Sequence, residues 1–187
     1  YGDIDGDAYV EYEKRSARGL VNQGWKDSWD AIMHAEGPLA TPPITLVEVQ
    51  GYVYAARRGI ARVLNAFGMR EEAERELRKA QALRQRFNRD FWLPQERYYA
   101  LALDGDGRPC ASIASNPGHA LWTGIVRRAY AEDVVGRLLS NELFSGWGIR
   151  TLSTGNIRYN PIGYHIGNVW PHDNAICAMG FKVYGFE

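Results

Sequence analysis

The chain has 187 residues, of which 22 are basic and 22 acidic, so its formal net charge is zero. With 45% hydrophobic and 24% charged residues, this length suits one globular domain with a sizeable core. The even charge balance excludes long-range attraction to nucleic acids or anionic membranes, and no apolar run approaches the roughly 18 residues of a membrane span. The first residues also lack the basic and apolar regions of a signal peptide, so we expect a cytoplasmic protein with neither kind of partner.

The first acidic segment, Asp3 to Asp7, begins like a calcium loop of the helix-loop-helix type. Its sixth position is Ala8, where the sharp turn requires glycine, and its twelfth is Lys14, where a bidentate glutamate is required. We therefore expect no metal here and interpret the segment as a turn that leads into an extended stretch. Two distant thiols, Cys110 and Cys177, have no metal-ligand spacing and are expected to be buried and reduced.

The segment from Gly19 to Asp30 places acids, amides and two indoles at a predicted loop that runs into a helix. Trp25 and Trp29 offer flat apolar faces, and the surrounding polar side chains offer the donors and acceptors that polyhydroxylated rings need. This composition is typical of a sugar site. Asp27 is a candidate general acid because two neighbouring indoles would raise the pKa of its carboxyl. A helix N-cap is the alternative role for this residue.

Apolar spacing predicts two helices that pack antiparallel, from Val49 to Phe67 and from Arg70 to Asn88. Thr41-Pro42-Pro43 opens the first and Gly68 closes it. Glu48 and Gln50 lie at its start, where solvent exposure is the alternative to the sugar contact that the family resemblance described below implies. We interpret the apolar stripes of both helices as core: Val49, Tyr52, Val53, Ala56, Ile60, Val63, Leu64 and Phe67 in the first helix and Ala73, Leu77, Ala80, Leu83 and Phe87 in the second.

The remaining chain predicts a short hairpin and three more helices. Tyr98 to Gly107 has the alternation and the Asp-Gly turn of a hairpin. Helices are predicted from about Ser115 to Ala129, from Val134 to Phe144 and from His172 to Val183, with a long irregular stretch, Ser145 to Pro171, before the last one. Irregular segments of that length are uncommon unless they are functional. The pattern indicates an all-α toroid, or part of one, with a β-hairpin insertion.

Two further segments add candidate site residues. Tyr164 to Asn174 repeats the aromatic and polar chemistry of the first sugar-like segment, and Trp170, His172, Asp173 and Asn174 form its tightest polar cluster. His172 and Asp173 have helix capping as an alternative role. His119 and Trp122 lie at another predicted helix start, where a histidine is as often a structural hydrogen bonder. The spacing of His165, His172 and Asp173 matches no helical zinc motif.

The chain resembles bacterial amylo-alpha-1,6-glucosidase, or glycogen-debranching-type, proteins. The resemblance lies in two segments, Asn-Gln-Gly-Trp-Lys-Asp-Ser at 22–28 and the segment at 164–174. The (α/α)6 barrel of those proteins is shared with glucoamylase-like and trehalase-like glycoside hydrolases. The resemblance implies inverting hydrolysis of alpha-glucosidic bonds in oligosaccharides or polysaccharides, no cofactor, and Asp27 as the general acid. It implies a substrate-binding set of Trp25, Lys26, Glu48, Gln50, His119, Trp122, Trp170, His172, Asp173 and Asn174.

The general base of that family is a glutamate well downstream of the Val-Trp-Pro-His-Asp-Asn segment, and this chain has no match to it. We therefore expect 1–187 to form one partial (α/α)6 domain. Its inner helix faces, including Tyr52, Ile60 and Val63, would lack partners and recruit either a second copy or the remainder of a longer polypeptide. The alternative from another functional class is a non-catalytic carbohydrate-binding or helical-repeat piece.

Overall fold

Five α-helices frame residues 2–187, which are the residues that the computed structural model describes. None of these helices combines the length and the apolar character that a membrane crossing needs. The helices are α1 (Val47–Ala66), α2 (Arg70–Asp90), α3 (Pro117–Thr123), α4 (Arg128–Leu138) and α5 (Pro171–Tyr184). The strands are β1 (Thr45–Leu46), β2 (Trp92–Leu93), β3 (Tyr98–Tyr99), β4 (Ala102–Leu103) and β5 (Pro109–Cys110).

The predicted helical hairpin is confirmed: α1 and α2 pack along each other across a three-residue turn. Gly68 takes a positive φ of 77° in that turn, a conformation that glycine adopts without strain. The buried face of α2 matches the predicted stripe except at Leu77, which is exposed. The predicted stripe of α1 is wrong over its second half, because Ile60 and Val63 are 45% and 49% exposed.

The α1 stripe fails as a core prediction because periodicity identifies an apolar face without identifying what covers it. The buried positions of α1 include the polar residues Glu48 and Gln50, together with Gly51 and Tyr54. Its exposed apolar face ends at Phe67, which is 78% exposed. Of the expected unpartnered face, Ile60 and Val63 are exposed, whereas Tyr52 contacts His119 and Trp122. Self-association through the exposed part stays a prediction.

The predicted hairpin is present as β4 and β5, which pair antiparallel around the turn at 104–108. The Asp104 carboxylate fixes this turn, because its Oδ1 accepts the backbone N–H groups of Asp106 and Arg108 at 3.0 and 2.9 Å. The sequence did not predict β1, which pairs with β4 and makes a three-stranded sheet in the order β1-β4-β5. A second hairpin joins β2 to β3.

Three predicted helix boundaries are corrected by the structure. The helix expected from Ser115 to Ala129 ends at Thr123, because Gly124 takes a left-handed conformation as its C-cap. The helix expected from Val134 to Phe144 instead spans Arg128–Leu138. The helix start expected directly after Asp27 is absent: residues 28–32 form turns and bends, and the Asn22 Nδ2 donates to the Ser28 carbonyl at 2.7 Å.

The irregular stretch predicted from Ser145 to Pro171 is confirmed as far as Trp170, because Pro171 begins α5. It is held by isolated bridges, Phe144 to Ile149, Ala114 to Leu152 and Arg150 to Val169. We call this segment the long loop. Both cysteines are buried and free, as expected. Two buried hydrophobic clusters support the fold, the larger beneath the helices and the smaller around Met33, Leu46 and Leu101.

Helices α3 and α5 approach each other through glycines. A Cβ added at Gly180 would lie 2.7 Å from the Gly118 carbonyl oxygen and 2.8 Å from the Trp122 backbone nitrogen. A Cβ at Gly118 would lie 2.2 Å from the Cys177 Sγ. Because backbone atoms cannot move aside as a side chain can, only glycine permits this spacing at position 180.

We predict that Gly180→Ala lowers the free energy of unfolding by about 1–3 kcal/mol, as overpacking does. Gly136→Ala is the matched control, since an added Cβ on this exposed face of α4 meets nothing within 4 Å. Alanine there should raise stability by about 0.5–1 kcal/mol through helix propensity. Urea unfolding of both variants gives the test, and equal effects of the two substitutions would contradict the packing argument.

Candidate functional site

Four aromatic rings form what we call the tryptophan cluster: Trp25, His165, Trp170 and His172. The Trp25 ring meets the other three edge-on, at centroid distances of 5.4 Å to His165, 6.4 Å to Trp170 and 4.9 Å to His172. The Trp170 indole donates Nε1–H to the Tyr164 carbonyl at 2.8 Å, which fixes its ring. Segments that are distant in sequence thus present clustered aromatic faces of the kind that sugar rings stack upon.

The Asp27 carboxylate lies at the edge of this cluster and is 49% exposed. Its Oδ1 is 3.9 Å from the Nδ1 of His165, which in turn stacks on Trp170 at a centroid distance of 5.2 Å. The Trp29 indole points largely to solvent, so the expected enclosure of Asp27 between two indoles is not present. The N-cap alternative is also excluded, because Asp27 precedes no helix.

Beneath Trp25 lies what we call the buried acid cluster: Glu48, Asn116, His119 and Asp173. The His119 ring stacks under Trp25 at a centroid distance of 5.7 Å and an interplanar angle of 11°. Its Nε2 lies 2.8 Å from the Asp173 Oδ1, and its Nδ1 contacts the Tyr52 hydroxyl. Because the Asp173 carboxylate accepts, Nε2 is the nitrogen that donates to it, and Nδ1 shares the second hydrogen bond with the Tyr52 hydroxyl.

Unpartnered polar atoms concentrate around this buried acid cluster. Among residues 2–187, ten buried side-chain nitrogen and oxygen atoms lack a hydrogen-bond partner, and seven of them lie here. Since each such atom normally has a partner, their concentration is typical of a place that binds water or a polar ligand. The seven are Trp25 Nε1, both carboxylate oxygens of Glu48, Ser115 Oγ, both amide atoms of Asn116, and Asp173 Oδ2.

Burial raises the pKa of the Glu48 carboxyl, with the nearby His119 acting in the opposite direction. The Lys26 ammonium is also buried, close enough to these acids for their charge to act on it, and its Nζ donates to the Thr151 carbonyl of the long loop at 2.6 Å. Burial lowers the pKa of Lys26 to about 8, while Asp173 and Glu48 raise it. Lys26 is thus buried and bonded within the protein, away from the surface on which the sequence analysis places a bound sugar.

Two of the predicted substrate-binding residues have structural partners instead. Gln50 is fully buried, and its amide exchanges hydrogen bonds with the Val10 backbone at 2.7 and 3.0 Å, so neither a sugar nor solvent faces it. Asn174 donates to the Ile149 and Trp170 carbonyls and accepts the Ile149 N–H at 2.6 Å, which ties the long loop to α5. Their amides have no free donor or acceptor set for a ligand.

The exposed Trp122 is set apart from the tryptophan cluster and meets the Tyr52 ring edge-on at 6.3 Å. Asp173 lies in the first turn of α5, where the helix dipole favours negative charge, although its side chain makes no capping bond. Sequence reasoning assigned Tyr52 to the core and gave Asn116 no role of its own. The sequence could have assigned both residues to the site only through their spacing from candidate residues. Tyr52 lies one helical turn from Glu48, and Asn116 precedes His119 by three residues.

A separate acidic group lies near the chain start. Single oxygens of Asp3, Asp5, Asp7 and Glu11 all lie within 4.8 Å of one another. Each of these side chains also accepts a backbone N–H of the same loop, Glu11 from Ile4 at 2.6 Å and Asp7 from Tyr9 at 2.7 Å. The segment is the turn that the sequence predicts, with its acids drawn together around its own backbone.

Comparison with known proteins identifies the family of this chain. The sequence profile of the mannosylglycerate hydrolase MGH1-like glycoside hydrolase domain matches residues 7–186. The chain belongs to this family. The family is one of glycoside hydrolase domains, as the sequence analysis predicts, whereas the narrower debranching-type assignment is not what the match supports. No curated protein sequence matches this MGH1-like chain.

Solved structures share the fold of this MGH1-like domain, which confirms the (α/α)6-type prediction. A sialidase superposes with a TM-score of 0.73 at 15% identity over 93% of this chain and 16% of its own. The GH63 mannosylglycerate hydrolase from Thermus thermophilus in complex with glucose gives 0.63 at 19% identity over 76% and 34%. Neutral trehalase from Saccharomyces cerevisiae gives 0.67 at 12% identity over 86% and 31%. The chain thus spans about a third or less of these proteins.

We predict that His165 makes the free energy of unfolding sensitive to acid. Burial lowers the pKa of this ring below its ordinary 6.5, with Lys26 acting in the same direction. Just below that pH the unfolded chain binds more protons than the folded chain, so the free energy of unfolding falls as the pH drops. His165→Gln keeps a hydrogen-bonding group near Ser28 but does not titrate, so its loss of stability from about pH 7 to about pH 5 should be smaller. Urea unfolding across that range measures it, and identical pH profiles would contradict the assignment.

Proposed function

We propose that this MGH1-like chain forms part of the catalytic domain of a glycosidase that hydrolyses O-glycosyl bonds with Asp27 as general acid. The observation that carries the proposal is the position of Asp27, a half-exposed carboxylate at the edge of the tryptophan cluster. Family membership supports the reaction class. A sugar that stacks on Trp25 or Trp170 would bring its glycosidic oxygen toward this carboxyl.

In the proposed reaction, protonated Asp27 donates its proton to the leaving glycosidic oxygen as the bond to the anomeric carbon breaks. A water molecule attacks that carbon from the opposite face, and a second carboxylate takes the proton of the water. In an inverting enzyme the two carboxyl groups lie roughly 6.5–9.5 Å apart, with room for the water. The resemblance to debranching-type proteins favours inversion, and it gives the second carboxylate no counterpart in this chain.

The buried acid cluster supplies the floor of the proposed site. His119 backs the Trp25 ring, and the Tyr52–His119–Asp173 chain of contacts fixes the plane of that imidazole. Glu48, Asn116 and Asp173 retain unpartnered polar atoms of both kinds, donors and acceptors. Hydroxyl groups can satisfy both kinds at once, which favours a polyhydroxylated ligand over a simple ion.

For the substrate, we propose an alpha-linked glucoside, as the sequence resemblance implies. The family and two fold relatives carry the names mannosylglycerate hydrolase and trehalase, so mannosylglycerate and trehalose are also substrates to test. A panel of isomaltose, panose, glycogen, trehalose and mannosylglycerate therefore separates the specificities. Similar folds change specificity by changing loops, so the long loop is the segment to compare.

A non-catalytic carbohydrate-binding domain is the second candidate, and the exposed aromatic faces without an assigned base favour it. Binding of an oligosaccharide without hydrolysis by the full-length protein would support this candidate over the enzyme. Hydrolysis of any sugar on the panel would exclude it.

Asp27→Asn should lower turnover by about a hundredfold to ten-thousandfold in the full-length protein, because it removes the proton donor. Its stability should match that of the wild type, since Asp27 caps no helix. Steady-state kinetics on the best substrate and thermal unfolding give the two readouts. Unchanged turnover would remove Asp27 from the mechanism.

Trp170→Ala should weaken oligosaccharide binding by about tenfold, the loss expected for one aromatic stacking surface. Trp147→Ala is the matched control, because Trp147 lies on the same long loop, is 97% exposed and lies outside the tryptophan cluster. Calorimetric titration with isomaltose or panose measures both variants. An equal loss of affinity in the two variants, or a loss of helical circular dichroism in Trp170→Ala, would show that Trp170 has a structural role and does not bind the sugar.

A further inference from the structure

We propose that Lys26 is a positioning residue: its buried ammonium joins the long loop to the Trp25 segment, balances two buried carboxylates, and so fixes the Trp25 indole on His119. The assignment corrects the expected sugar contact at Lys26. It rests on the proposed function only in treating the Trp25 surface as the site. The structural part of the proposal stands on contacts among the described residues.

Lys26 brings a positive charge into an interior that holds two acids. Glu48 and Asp173 are both buried, and three of their four carboxylate oxygens have no hydrogen-bond partner. Lys26 is the one Lys or Arg side chain that is buried among residues 2–187. Because an uncompensated buried charge is strongly unfavourable, the Lys26 ammonium, together with the His119 ring that contacts Asp173, offsets the two acids.

Lys26 also joins two segments that are distant in the sequence. The Lys26 Nζ donates to the Thr151 carbonyl at 2.6 Å, a contact between residues 125 positions apart. Thr151 in turn organises the long loop, since its Oγ1 accepts the Gly167 N–H at 2.9 Å and its own N–H donates to the Asn168 carbonyl at 2.9 Å. The same ammonium lies 5.2 Å from the centre of the adjacent Trp25 ring. One group therefore contacts both segments that build the tryptophan cluster.

The charge of Lys26 is sensitive to pH, because burial lowers its pKa to about 8. The groups that face it are Glu48 from α1, Asp173 and Cys177 from α5, and His165 from the long loop. Burial raises the pKa of Glu48 and Cys177 and lowers that of His165, so among these groups Lys26 supplies the positive charge near neutral pH. Deprotonation of Lys26 above about pH 8 removes the balance and alters the field at Trp25.

The test uses the intact protein labelled with 5-fluorotryptophan and followed by fluorine NMR. Trp25→Phe assigns the Trp25 signal, and the signal of the exposed Trp147 is the internal control. In the wild type, the Trp25 signal should shift with a midpoint near pH 8, and the Trp147 signal should not. Lys26→Arg keeps the charge, which arginine does not lose in this range, so the Trp25 signal should stay near its wild-type position without that midpoint.

Lys26→Met removes the charge and should displace the Trp25 signal at every pH. Persistence of the midpoint in Lys26→Arg would assign it to another group, such as Glu48, and overturn the proposal. An unmoved Trp25 signal in Lys26→Met would also overturn it. Where Lys26→Met does not fold, the comparison of wild type with Lys26→Arg still decides.

Stability gives an independent readout. Because the pKa of Lys26 is below its ordinary 10.5 in the folded chain, the unfolded chain binds more protons between about pH 8 and about pH 10.5. The free energy of unfolding of the wild type should therefore rise with pH relative to Lys26→Arg in this window, and parallel curves would contradict the titration. Neither readout needs hydrolysis, so absence of activity on every sugar rejects the proposed function and leaves this test intact.

Discussion

The close approach of α3 and α5 is the constraint on which the candidate site depends. Gly118 and Gly180 let the two helices meet with backbone in contact, and this places His119 of α3 within hydrogen-bond distance of Asp173 of α5. The His119 ring is then held in a plane on which Trp25 can stack. A larger separation would break the imidazole–carboxylate contact and remove the support of the indole, so the aromatic surface depends on two residues without side chains.

The site separates two kinds of carboxylate. Glu48 and Asp173 lie in the interior, where burial raises the pKa of the Glu48 carboxyl and the His119 ring contacts Asp173. Asp27 lies at the surface, next to His165 and the stacking faces. Acid chemistry requires contact with a substrate, which the surface position permits, whereas the interior pair is placed to hold the supporting groups still.

The sequence predicted the features whose signal is local and missed those that depend on distant partners. The amphipathic pattern of α2 identified that helix, whereas the equally clear pattern of α1 predicted burial for Ile60 and Val63, since periodicity carries no information about a covering surface. The two-residue strand β1 gives no alternation to detect. In the site, residue type identified the aromatic cluster and its supporting acids. It could not show that backbone groups occupy the amides of Gln50 and Asn174, or that Lys26 is buried against the long loop.

The contacts that join the first thirty residues to the long loop also bear on how this domain folds. The Ser28–His165 and Lys26–Thr151 contacts close chain segments of 137 and 125 residues, whereas the α1–α2 hairpin closes over a three-residue turn. Closing a long segment costs more conformational entropy than closing a short one, and slow steps in folding are commonly those of high sequence separation. The helical hairpin can therefore form early, while the aromatic surface appears only when both ends of the chain have docked. During synthesis the ribosome must release the whole long loop before the tryptophan cluster can be complete, because His165 and Trp170 lie near its end and His172 follows it.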